Sequence, residues 1–378
     1  MKILAAIDSF KGSLSSVEAG KIVKKAALNV NDDIDFKIKP IADGGEGTVD
    51  SFLSLKNSKK IELTVNDPLM RKTKAYYATI DDLAIMEMSQ AAGLTKLKDD
   101  EKNPMLTSTY GVGQMINHAL ENGIRRFIIG IGGSATNDCG LGMLKALGCN
   151  FLDKNNKEVG ICADAIKDIH SIDIKYINPK LKECDIKIAS DVDNPLYGKN
   201  GASFVYAAQK GADDQMIKVL DDYLRYFAKK TSEIIDNDPN YPGCGAAGGL
   251  GFAFKYYLNA KLQKGIDIVF KELEIEESIK ESDLIITGEG KMDRQTSMGK
   301  VISGIGKLSK KYDKKAIAFC GSFEKEALNV HDIGIDAIFS IQKEAVDLKK
   351  AMDKEYAKEN LYLCALEVFK LINTYGGI

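Results

Sequence analysis

Five times along this chain an apolar run of strand length gives way to a short loop in which glycine is mixed with acids, lysines or hydroxyls. The loops are DSFKGS (8–13), ADGGEGT (42–48), GIGGSATND (130–138), SDVDNPL (190–196) and TGEGKMDRQT (287–296). In open α/β sheets ligands bind beyond the carboxyl ends of the strands, and such loops build the site. Repetition of one grammar constrains the fold more than any single loop does. The chain is read as α/β, and glycine, 34 of 378 residues, is concentrated where the chemistry is expected.

Local patterning supports this reading. Residues 2–7 predict a buried strand, and Ser15-x-x-Glu18 predicts a capping box opening a helix whose inner face carries Ile22, Val23, Ala26, Ala27 and Val30. A strand is expected over 34–41 and a strand meander over 60–90, where β-branched and aromatic residues alternate with turn signals. Further helices are expected near 108–122, 213–236, up to about 260, 298–311 and 324–330, and over the last 25 residues. The βα rhythm of the two ends is missing from the middle. This predicts a discontinuous domain from 1–60 plus 283–378 and an inserted α/β domain from 61–282.

Several function classes are excluded by composition. Lys+Arg total 52 against 54 Asp+Glu, which leaves no basic footprint for nucleic acid and no polybasic membrane anchor. No apolar run reaches membrane-helix length, and the first is broken at Asp8, too early for a signal-peptide core. Seven cysteines without a CxxC pair read as reduced thiols in a cytoplasmic protein, with Cys139, Cys149 and Cys320 as small apolar fillers. With only His118, His170 and His331, a His-rich metal site is not expected and a Ser-His-Asp triad has few candidates. The sequence specifies no oligomeric state.

Each loop offers particular chemistry. Lys11 is a point charge suited to phosphate or carboxylate. Asp43 and Glu46 flank glycines that allow a ligand to approach the backbone. The GIGGSATND loop offers bare amides before a helix, a place for phosphate. It also fits GxGxxA, with Asp153 at roughly the spacing of a dinucleotide fingerprint. Asp191 and Asp193 alternate along an extended strand exit, suited to magnesium or to accepting a hydroxyl proton. The 287–296 loop joins glycine, both charge signs and a hydroxyl, but Arg294 stands where a P-loop needs glycine. Thr107-Ser108-Thr109 reads as a helix N-cap first and a phosphate or substrate contact second, Ser89 as a strand end facing a cleft, and Gly243–Gly251 as close helix packing ahead of a ligand approach. A nicotinamide-dependent dehydrogenase and a non-catalytic binding protein are the rival readings. The first lacks a catalytic histidine beside the other loops, and the second has no need of the acids.

Taken in order, DSFKGS, PIADGGEGT, SQAAGL, TSTYGVG, GIGGSATND, SDVDNPL, GCGAAGGLG and TGEGKMDRQT resemble the bacterial glycerate kinase family of the glycolate/glucarate-pathway type. The blocks run from about residue 3 to 322, and none is found beyond 330. The resemblance implies a flavodoxin-like domain with an inserted restriction-endonuclease-like domain. It also implies ATP, Mg²⁺ and D-glycerate, with 2-phosphoglycerate favoured and 3-phosphoglycerate the alternative. It marks the loops without giving each residue a task. On chemical grounds Asp191, Lys11 and Lys291 are the expected catalytic residues. Asp8, Asp43, Gly44, Gly45, Glu46 and Ser89 are expected to bind substrate. Gly130, Gly132, Gly133, Ser134, Asn137, Asp138, Gly288 and Gly290 are expected to bind nucleotide, and Asp191, Asp193 and Asp293 to hold the metal.

Overall fold

The computed structural model describes residues 1–42, 45, 47–297 and 300–375. Asp43, Gly44 and Glu46, three of the expected substrate ligands, lie outside the described residues. In chain order the strands are β1 (Lys2–Ala5), β2 (Asp35–Ile38), β3 (Lys59–Asn66), β4 (Lys72–Ile80), β5 (Leu83–Glu87), β6 (Arg126–Gly130), β7 (Asn150–Leu152), β8 (Ser171–Asp173), β9 (Asp185–Ala189), β10 (Lys261–Gln263), β11 (Leu284–Met292), β12 (Lys315–Phe323) and β13 (Ala337–Ser340). They belong to a mixed α/β fold divided into two compact units, residues 1–43, 50–56 and 266–378, and residues 44–49 and 57–265.

The first unit holds a five-stranded sheet of order β13-β12-β11-β1-β2, parallel throughout. Parallel strands are covered on both faces, which is why KILAAI and LIIT are apolar without alternation. Ile3, Ala5, Ile286 and Phe319 share a core with Val23 and Ala26 of helix Ser16–Val30 and with Leu361, Ala365 and Phe369 of helix Lys354–Tyr375. The capping box forms as expected: Glu18 N–H donates to Ser15 Oγ at 3.2 Å, and Ser15 N–H to Glu18 Oε2 at 3.1 Å. Helices Gly265–Glu272 and Ile275–Glu281 sit largely with this unit. There the buried Lys39 donates to the carbonyls of Leu273 and Glu274. The first unit therefore resumes well before residue 283.

The second unit holds a six-stranded sheet of order β10-β9-β6-β5-β4-β3 and a β7-β8 ribbon. The expected meander is β3–β4–β5, paired antiparallel, while β5, β6, β9 and β10 run parallel. The long amphipathic helix is Asp214–Ser232, opened by the Asp213 carboxylate, which accepts from Met216 N–H at 2.8 Å. Cys139 and Cys149 are buried in this unit's core, as small fillers should be.

Two local expectations change. The strand expected over 34–41 stops at Ile38, although Lys39 and Ile41 amides still reach the carbonyls of Ala5 and Ile7. The 324–330 helix is a 3₁₀ segment, Lys325–Val330, in keeping with its length of less than two α-helical turns.

Candidate active site

In the first unit the exits of β1, β11, β12 and β13 line a cavity of about 600 Å³. Asp8 N–H donates to Gly288 O at 2.9 Å, so the DSFKGS loop begins tied to β11. Its turn closes through Ser13 N–H to Phe10 O at 2.8 Å, with Gly12 at φ +75°, a conformation that favours glycine. A Cβ on Gly290 would stand 3.2 Å from Phe10 Cα and 3.3 Å from Lys11 N, so the two loops lie backbone against backbone. Asp8, Lys11, Glu289, Gly290, Lys291 and Lys300 all line the cavity.

The 287–296 loop is held by its own side chains. Thr296 Oγ1 donates to the buried Glu289 Oε1 at 2.5 Å and accepts from Asp293 N–H at 3.0 Å. Lys291 makes a half-exposed ion pair with Glu324 at 2.7 Å, and that partner raises its pKa. Gly288 has a packing role. It lies in β11, where a Cβ would come within 2.3 Å of Phe319 O, so its glycine serves strand packing.

In the second unit the exits of parallel β5, β6 and β9 bear Ser89, the 130–138 loop and Asp191. Ser89 opens the short helix Ser89–Ala92. The 130–138 loop divides into an exposed tip and a buried base. Gly132 and Gly133 are exposed, Gly133 has φ +70°, and a Cβ on Gly132 would stand 3.6 Å from Gly45 Cα. Flanking amides are already used: Ile131 N–H donates to Ala189 O at 3.4 Å and Ala135 N–H to Ala92 O at 2.9 Å.

The base is a brace. Asp138 is fully buried and accepts from Thr109 N–H (2.8 Å), Thr109 Oγ1 (2.7 Å), Gly142 N–H (3.2 Å) and Gly140 N–H (3.3 Å). Burial raises its carboxyl pKa against the lowering by those donors. Thr107 Oγ1 donates to Ala135 O at 3.0 Å, so the TST segment braces this loop and Thr109 makes no side-chain cap. Lys210, also buried, donates to Thr136 O at 2.6 Å. Desolvation lowers its pKa to about 7, opposed by the Asp138 charge. On another side, a Cβ on Gly248 would come within 2.1 Å of Thr136 O, which makes GCGAAGGLG the close-packing element expected of it.

Three of the expected nucleotide ligands also have structural partners within the unit. Gly130 is paired inside β6 with Glu87 and Ala189. Asn137 is buried and donates to Ser203 Oγ at 3.0 Å. Asp138 is an internal acceptor for the groups around it. Gly132 and Gly133 form the exposed part of the loop, with Ser134 buried beside them.

Asp191 and Asp193 stand exposed after β9, with Asp191 Oδ1 accepting from Gly265 N–H at 3.1 Å. Among the described residues no three His, Cys, Asp or Glu side chains gather as a ready-made metal site. Magnesium does not require one, since it takes one or two carboxylates together with substrate phosphates and water. The carboxylates of Asp191 and Asp193 are chemically of the kind it takes, as is that of Asp293 in the first unit.

Sequence reading missed Glu87, Glu289, Lys210 and Lys300. Glu87 is buried at the end of β5 and accepts from Val49 N–H at 2.9 Å, holding the segment that follows Gly45. A lone acid inside LAIMEM was its signal. Glu289 stands inside the 287–296 loop, where nothing in the sequence separates it from its polar neighbours. Lys210 carried no local signal, because its burial comes from segments distant in sequence. The dinucleotide reading loses its geometry: the helix after the glycines starts only at Leu141, and Asp153 closes its own turn, accepting from Asn155 N–H at 2.7 Å and Lys157 N–H at 2.9 Å.

Comparison with known proteins agrees with the ordered motifs. A model of the glycerate kinase family matches residues 3–373. A glycerate kinase of Bacillus subtilis (strain 168) is 41% identical, covering 97% of each chain. A glycerate 2-kinase of Escherichia coli (strain K12) is 40% identical, covering 94% of each. A crystal structure from Salmonella typhimurium LT2, described as glycerate kinase 2, superposes with a TM-score of 0.89 at 37% identity, covering 99% of this chain and 98% of that one.

Proposed function

This chain belongs to the glycerate kinase family, and on that premise we propose how its residues share the work of ATP-dependent phosphorylation of D-glycerate. The enzyme is a glycerate kinase, and the observation that carries this is near-full-length identity of about 40% to curated glycerate kinases. The relative named glycerate 2-kinase supports 2-phosphoglycerate as the product.

Phosphoryl transfer is catalysed mainly by positioning and charge neutralisation. Asp191 accepts the proton of the attacking hydroxyl, whose oxygen bonds to the γ-phosphorus as the bond to the bridging oxygen of ADP breaks. Support for this role is its exposed place at a strand exit, oriented by Gly265 N–H. Lys11 and Lys291 offset phosphate charge from the cavity lining, Lys291 exchanging Glu324 for the ligand. Gly132, Gly133 and Ser134 offer the loop backbone to an anion, and Asp8, Gly45 and Ser89 contact the acid substrate or its neighbours. Mg²⁺, held by Asp191, Asp193 or Asp293, would supply neutralisation of the phosphates.

We read the two compact units as a flavodoxin-like domain and an inserted restriction-endonuclease-like domain. Counted along the chain, the first sheet has strand order 2-1-3-4-5 with all strands parallel, the flavodoxin arrangement. No helix of the described residues is long and apolar enough to cross a membrane, and a cytoplasmic metabolic enzyme fits that.

The test is a ³¹P NMR time course with ATP, Mg²⁺ and D-glycerate. A growing phosphomonoester coupled to one proton is expected, which identifies the 2-phosphate. Coupling to two protons would assign the 3-phosphate instead, and no new ester at high enzyme concentration would sink the glycerate assignment.

A further inference from the structure

The cavity of the first unit has two chemically different sides. One is charged, with Asp8, Glu289, Lys11, Lys291 and Lys300. The other, from the segment after β13, is a mostly apolar wall, with Ile341, Val346, Leu348, Ala351 and Met352; the one acid of that segment in the lining, Glu344, is paired with Lys350 at 3.2 Å and Tyr356 at 3.1 Å. Leu348 is 74% exposed and Met352 39%. Large apolar side chains left in solvent at the mouth of a concave site mark a place where an apolar ligand surface is received.

Glycerate cannot be what this wall serves, since it bears an oxygen on every carbon and has no apolar face. Of the two substrates only ATP carries an aromatic ring. The cavity also stands where β1 and β11 leave the sheet, the point at which the strand order reverses and where doubly wound sheets bind nucleotides. Its volume lies within the range of nucleotide-sized pockets.

Two details tie the sides together. A Cβ on Gly12 would stand 2.6 Å from Met352 Cε, so the turn carrying Lys11 is built against the wall. Gln342 lines the cavity with its Oε1 buried and without a hydrogen-bond partner among the described residues. A buried acceptor of that kind calls for a donor.

We propose that segment 341–352 is the base pocket of the nucleotide site: the adenine of ATP lies on Val346, Leu348 and Met352, Gln342 Oε1 accepts from its exocyclic amine, and the triphosphate runs toward Lys11, Lys291 and Lys300. The proposal rests on the ATP-dependent kinase reading and goes beyond it by assigning the base to a stretch that carries none of the family's motif blocks.

The test uses Leu348→Asp and Val346→Trp, with two readouts on the full-length enzyme. In steady-state kinetics both variants should raise KM for ATP about tenfold or more while KM for D-glycerate moves less than about twofold. In calorimetric titration, adenosine, which has no phosphate, should bind the wild type and be lost from both variants. Leu348 is so exposed that its replacement does not threaten the core. An unmoved KM for ATP, a selective rise in KM for D-glycerate, or adenosine that binds all three proteins equally or none of them would overturn the base pocket. A wild type that makes no phosphoglycerate would instead defeat the kinase reading, and the adenosine titration would still decide the pocket.

Discussion

The β1 and β11 loops of the first unit and the β6 loop of the second share one sequence grammar, glycine with polar residues after an apolar strand, yet they use it in opposite ways. In the first unit Lys11, Lys291 and Lys300 turn toward a cavity and remain accessible. In the second unit most of the polarity turns inward: Thr107, Thr109, Asn137, Asp138 and Lys210 are all buried beneath the loop. Only the glycine tip at 132–133 is exposed. A polar residue in a motif can therefore touch a ligand or hold the backbone that does. Buried polar networks of the second sort rigidify a site, because each unmet partner is costly.

This comparison orders the expected effects of mutation. The largest falls on Asp191, an exposed acid outside the brace. Asp191→Asn should lower kcat at least about a hundredfold, the usual contribution of a positioned base, with the circular dichroism spectrum unchanged. A kcat near that of the wild type would remove it as base. Next is the brace itself. Asp138→Ala strands donors from Thr109, Gly140 and Gly142 in the interior and should cost about 2–4 kcal/mol in urea unfolding. A loss below about 0.5 kcal/mol would mean that the network is not a support.

Lys210 sharpens the comparison through pH. Its folded pKa, about 7, lies below the ordinary lysine value of 10.5. Between those values the unfolded chain binds the proton that the folded one does not, so this lysine makes stability rise as pH rises through that window. Below about pH 7 both states are protonated and its unfavourable contribution is constant. The difference in unfolding free energy between wild type and Lys210→Met should therefore change by up to about 1.4 kcal/mol per pH unit between pH 7 and 9. A flat difference would show that the lysine keeps an ordinary pKa. The smallest effect on stability is expected at Lys11→Ala, within about 0.5 kcal/mol, while KM for ATP or D-glycerate rises. A large stability loss there would erase the contrast between the two regions.

Much of the fold was legible because it depends on local pattern. The capping box at Ser15 and Glu18, the antiparallel meander over 60–90 and the apolar parallel strands follow from periodicity and turn chemistry. The site was legible only as loops. Nothing in GIGGSATND distinguishes exposed Gly132 from buried Asn137, because their difference is made by Thr109, Lys210 and Gly248, each distant along the chain. In the Thr107-Ser108-Thr109 segment Ser108 Oγ accepts from Tyr110 N–H at 3.2 Å at the helix start, while Thr109 serves Asp138; cap and brace use the same kind of hydroxyl, and only the neighbouring groups decide between them.

The sequence by itself determined the α/β class, the positions of the strand-end loops and, through the order of their motifs, the family and its reaction. Tertiary structure decided which polar groups face a cavity and which are desolvated, and it brought segment 341–352 to the mouth of that cavity. The physical reason is that strand and helix preferences act over a few residues, whereas burial, pKa and pocket shape depend on segments that only packing brings together.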